Sequence, residues 1–201
     1  MRGLVLAALI AGLLMATSPA WAHAPIMGIG GVFGGVLHAL LIPEHGMSLV
    51  ALGVFLGRQQ SATRRWEVMT FAVALTCGLV LIALVGEAAF AADCLLAATA
   101  VLGLLIATNW TPPLLGWLLA AVIGLALALD SPPEVGSTEE AVRMLIGSGL
   151  GAAIALALLA ESAVWFRGTG PLIATRVLGS WITAIAILVL SLRIATRWAT
   201  G

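Results

Sequence analysis

Long apolar runs separated by short polar breaks dominate the chain, and their lengths suit helices that cross a bilayer. Six follow one another, at about 26–57, 66–85, 89–108, 114–129, 141–166 and 172–192. A membrane-spanning helix needs about 20 predominantly apolar residues. The breaks carry their own signals. Asn109-Trp110-Thr111-Pro112-Pro113 reads as a tight turn, because prolines and the residues before them resist continuing a helix. The longest polar stretch, residues 130–140, holds Asp130, Glu134, Glu139 and Glu140 and no base, and Ser137-Thr138-Glu139-Glu140 resembles a helix cap with acids in the first turn. The pattern predicts an all-α, polytopic membrane bundle of six transmembrane helices in a single transmembrane domain, residues 23–201.

Residues 1–22 read as a cleavable signal peptide. Arg2 supplies the positive start, Leu4 to Met15 the apolar core, and Ala20-Trp21-Ala22 a small-x-small cleavage site. Cleavage there leaves His23 at the mature N-terminus, outside the cytoplasm. An uncleaved first helix is the alternative, and it leaves the later topology unchanged.

Composition agrees with the membrane assignment. Of 201 residues, 62% are hydrophobic and 9% charged, with mean hydropathy +1.15, whereas a soluble domain carries about 25% charged residues. Formal net charge is zero and the basic residues are scattered, which gives nucleic acid no surface to bind. Every basic residue is arginine, and Arg58, Arg64 and Arg65 crowd one short break, marking it as cytoplasmic by the positive-inside rule. On that layout Arg167 and Arg176 are also inside, while Arg143, Arg193 and Arg197 fall outside. Both mature termini are then extracytoplasmic. Cys77 and Cys94 lie in apolar runs at a spacing that matches no zinc or redox motif.

The first run is too long for one straight crossing, and Pro43 interrupts it. Proline removes the N–H that would serve the Ala39 carbonyl, so a kink or short unwound segment is expected near 39–43. Around it stand His38, Glu44 and His45. Ionisable groups at membrane depth cost roughly 3 kcal/mol or more each and by default mark function. On an undistorted helix His38 and His45 would share a face about 10.5 Å apart along the axis, too far for one ion held at about 2 Å by both rings. A break at Pro43 shortens that distance and frees backbone carbonyls. Histidine, carboxylate and carbonyl together suit nickel, cobalt or zinc. Interhelical hydrogen bonding is the alternative role for these side chains.

The segment from His38 through Glu44-His45 to the helix at 46–59 resembles the HupE/UreJ family, whose members typically show His-Pro-x-x-Gly-x-Asp-His followed by a similar helix. A signal peptide ending just before a histidine and six predicted helices are also similar. The resemblance implies a secondary permease for nickel or cobalt, associated with metalloenzyme-maturation proteins and with no tightly bound cofactor. It places His38, Glu44 and His45 at the metal path, and His23 at the start of a metal-capturing N-terminus. Ala39 stands where the family has proline, Glu44 where it has aspartate, and the second half lacks the family's further histidines. That lack favours a second reading, a non-transporting membrane accessory protein.

Two further acids are candidates for the pathway, Asp93 and Glu161. Asp93 is equally placed to be solvated or to favour a helix start, and Glu161 to snorkel to the interface. No His-Glu-x-x-His, Gly-x-Ser-x-Gly or phosphate-binding loop is present, so no enzyme activity is expected.

Overall fold

The computed structural model describes residues 30–86, 88–132, 137–166 and 169–200. These residues form seven α-helices and one 3-10 turn, with no strand among them. The helices are α1 (Gly31–Leu41), α2 (Pro43–Gly57), α3 (Ser61–Val85), α4 (Ala91–Thr108), α5 (Pro113–Leu129), α6 (Thr138–Ala163) and α7 (Thr169–Thr200); the turn, Val164–Phe166, follows α6. By length and composition α3, α4, α6 and α7 can each cross a membrane, and α1 with α2 makes a fifth candidate if the bent pair is one span. The 17 residues of α5 are apolar but shorter, about 25 Å long against a hydrocarbon core of roughly 30 Å. The predicted signal peptide and His23 lie outside the described residues.

The first apolar run breaks where proline dictates. Ile42 alone separates α1 from α2, in extended conformation (φ −68°, ψ 120°), and Pro43 opens α2. A residue before proline is pushed out of the α region, while proline's fixed φ suits the first helical position. The two helices meet at a bend of 72°. Across it, the Ile42 N–H donates to the His38 carbonyl at 3.4 Å and the Gly46 N–H to the Ile42 carbonyl at 3.0 Å.

Two helices run further than their apolar stretches. α3 starts at Ser61, not Trp66, because Arg64 in its first turn is held by Glu161 of α6. α7 continues to Thr200, and its Arg193 and Arg197 are held by Asp93. Polar first and last turns thus extend the helices beyond the hydrocarbon-length segment. Asn109 ends α4 with φ 58°, a left-handed cap that asparagine tolerates. Arg58 fixes that corner, donating from Nη1 to the Ile106 carbonyl at 3.2 Å and from Nη2 to the Asn109 side chain.

α2 is the centre of the bundle and touches all six other helices, which pair around it as α1 with α6, α3 with α5 and α4 with α7. Close approach is built on glycine. A Cβ on Gly35 would stand 2.0 Å from the Met144 carbonyl oxygen, and one on Gly147 would stand 2.0 Å from that of Val32. Small residues at such contacts let helix backbones meet where lipid offers no hydrophobic drive. Leu49, Leu52, Phe55 and Leu56 of α2 pack with Phe71, Leu102, Ile106 and Ile123 in one core, while Leu84, Leu114, Leu158 and Leu188 face outward. A surface of exposed leucines is what a lipid solvent requires. Cys77 and Cys94, which match no zinc or redox motif, are free thiols on this exposed surface.

The contacts order the helix directions. Gly35 meets Met144 and Ser148 while Gly57 meets Ala160 and Ala163, so α1 and α2 together run parallel to α6. α4 and α7 are antiparallel, tied at one end by Arg176 to the Ala107 carbonyl and at the other by Asp93 to Arg193. One end of the bundle therefore gathers Arg58, Arg64 and Arg176; Asp130 and Asp93 lie toward the other.

Candidate functional site

The break assembles a polar site from both of its arms. His38 sits in the last turn of α1, and Glu44 and His45 in the first turn of α2. His45 is fully buried. Its Nε2 lies 3.0 Å from Oδ2 of Asp130, the residue that caps the C-terminus of α5. An ionised carboxylate can only accept, so the ring must donate from Nε2. In the neutral ring that leaves the lone pair on Nδ1, and Nδ1 is buried with no hydrogen-bond partner.

His38 completes the pair. Its ring centroid is 6.1 Å from that of His45, with the planes at 72°. Two imidazoles bound to one ion through nitrogens at about 2 Å have centroids roughly 5–6.5 Å apart. The bend at Ile42–Pro43 thus brings into edge-to-face contact two rings that a straight helix would hold apart.

One turn beyond His45, Ser48 locks α2 to α4. Its Oγ donates to the Glu44 carbonyl at 2.6 Å and lies 2.6 Å from Oγ1 of Thr99, itself bonded to the Leu95 carbonyl at 2.7 Å. Each hydroxyl has one hydrogen, so the Ser48–Thr99 contact forms only when one of them turns from its backbone acceptor. Both residues are fully buried. This contact ties the first turn of α2, where His45 stands, to α4.

The sequence-predicted residues separate on the structure. His38 and His45 come together. The half-buried Glu44 stands in the same helical turn as His45, and no three His, Cys, Asp or Glu side chains converge into a metal-holding cluster among the described residues. Asp93, in the first turn of α4, pairs with Arg193 at 3.2 Å and with Arg197. Glu161 accepts from Arg64 through both oxygens, each at 3.0 Å. Both acids are therefore engaged by cations of other helices.

Two residues were missed. Asp130 opens an acidic stretch, and its charge read only as a sign of a polar loop. Glu67 stands beside Arg64 and Arg65 at the start of the 66–85 run, with nothing local to single it out. In the structure Glu67 is fully buried, and neither carboxyl oxygen has a hydrogen-bond partner.

A multi-pass, all-helical membrane protein with two histidines, His45 buried and His38 half-buried, meeting at a proline-broken helix is the class these features define. Residues 11–189 match the HupE / UreJ protein family, and the chain belongs to that family. No curated protein and no solved structure matches it.

Proposed function

We propose that this protein is a permease that carries a divalent transition metal, nickel or cobalt, across the bacterial inner membrane. The observation that carries the reading is the state of His45: buried, bonded through Nε2 to Asp130, with Nδ1 bare and His38 at 6.1 Å. Metal-binding histidines characteristically give their other ring nitrogen to a carboxylate, which sets the tautomer and raises ligand basicity. Imidazole suits nickel and cobalt. Two imidazoles alone make a sparse site, which suits a cargo that must leave again. Broken helices within the bilayer are a recurrent place for transported ions, and HupE/UreJ proteins are nickel- and cobalt-associated accessory or permease-like membrane proteins.

In this reading His23 captures the ion outside, His38 and His45 bind it at the break, and Glu44 lends negative charge from the same turn. Reaching six spans requires α1 with α2 to count as one and the short α5 as another. Replacing His45 with alanine should abolish cellular nickel and cobalt uptake; undiminished uptake would count against the permease. A second reading, a membrane accessory protein that does not transport, is favoured by the absence of a three-residue cluster among the described residues. It predicts a stable protein partner and no metal binding.

A further inference from the structure

Glu67 is the one carboxyl among the described residues with both oxygens buried and unbonded. It lies in the second turn of α3 and packs against the first turns of α5: a Cβ on Gly116 would stand 1.9 Å from its Oε1 and 3.1 Å from Cε1 of Phe55. The absence of that Cβ is what admits the carboxyl. The charged groups nearby are committed elsewhere. Arg64, one turn earlier on α3, gives two hydrogen bonds to Glu161 of α6, and Arg65 is exposed. α5 has no charged or histidine residue between Pro113 and Leu129. The titratable residues of α2 are Glu44 and His45 at its far end, and Arg58 beyond it bonds to Ile106 and Asn109.

A bare carboxylate in such a place has no protein donor and no counter-ion, whereas a protonated one carries no charge to solvate. Acids inside membrane spans mark ion pathways and proton relays. We propose that Glu67 is a proton-binding site at the arginine-rich end of the bundle, loaded while α3 and α5 are closed on Gly116 and emptied when they part. The chemistry is one O–H bond, formed when a hydronium ion at that end of the bundle gives its proton to the carboxylate before the helices close, and broken when the proton returns to water as they separate. Coupling of this proton to metal movement rests on the permease reading; the proton site itself does not.

The test uses the full-length protein in proteoliposomes, as wild type, Glu67→Gln and Glu67→Asp. Infrared spectra at neutral pH should show a carboxylic-acid C=O band in the wild type that is lost in E67Q. Cobalt uptake by the wild type should respond to an imposed pH gradient, E67Q should lose that response while still binding cobalt, and E67D should retain part of it. Identical infrared bands in wild type and E67Q, or an unchanged gradient response in E67Q, would overturn the proposal. If the wild type moves no cobalt, the permease reading and the coupling fall together, and the infrared band alone decides whether Glu67 holds a proton.

Discussion

His45 and Asp130, 85 residues apart in the chain, meet at 3.0 Å between the start of α2 and the end of α5. One atom of the ring is thereby spent on orientation and the other left for chemistry. Removing the carboxylate should leave His45 in place but free its tautomer. Asp130→Ala is expected to weaken nickel or cobalt binding by about 10–100-fold, the usual loss when a carboxylate behind a ligating histidine is removed. Calorimetric titration of the purified variant checks this, with affinity unchanged as the contrary result.

The break itself should matter as much as the rings. Pro43→Ala restores the N–H that the Ala39 carbonyl lacks and favours continuation of α1 into α2. Spin labels on α1 and α2 should then report a smaller bend than 72°, and metal binding should drop because the rings separate.

Burial predicts an asymmetry in the pair between α3 and α6. The Arg64 side chain is 8% exposed and that of Glu161 64%. Glu161→Ala leaves a nearly buried guanidinium without its acceptors, whereas Arg64→Met leaves a carboxylate that water can solvate. Thermal unfolding in detergent should show E161A less stable than R64M. A loss on the order of 1–2 kcal/mol is expected for E161A, given the strength of charge-assisted hydrogen bonds and their screening at a wet edge.

The α1–α6 contact should not tolerate a methyl group. Gly35→Ala puts a Cβ against the Met144 backbone carbonyl, which no side-chain rotation can relieve. Overpacking of this kind typically destabilises by about 1–3 kcal/mol. Lower thermal stability together with weaker metal binding is expected, since α1 carries His38. Gly86→Ala is the control for space alone: nothing lies within 4 Å of its Cβ, although its φ of 80° carries a backbone penalty.

What was legible in the sequence was local. Pro43 announces its break because ring closure and the missing N–H act on residues one to four positions away. The apolar runs announce helices because lipid selects each one separately. The pairings of Asp130 with His45, Glu161 with Arg64, and Asp93 with Arg193 and Arg197 join residues 85 to 104 positions apart, and no local rule reaches that far. The last of these also bears on the charge count, because Arg193 and Arg197, which ran against the positive-inside bias, share a carboxylate. Glu67 was hidden for a different reason. Two arginines beside it suggest solvent, and only the helix phase, which turns Arg65 outward and Glu67 inward, places it in the core.

Metal binding by the purified protein tests the central claim most directly. Nickel and cobalt would be titrated at neutral and mildly acidic pH into the wild type and a His38→Ala/His45→Ala double variant. A protonated imidazole has no lone pair to offer, so affinity should fall on acidification. The account predicts saturable binding that weakens in acid and disappears in the double variant. No binding to the wild type, or equal binding to both proteins, would contradict it.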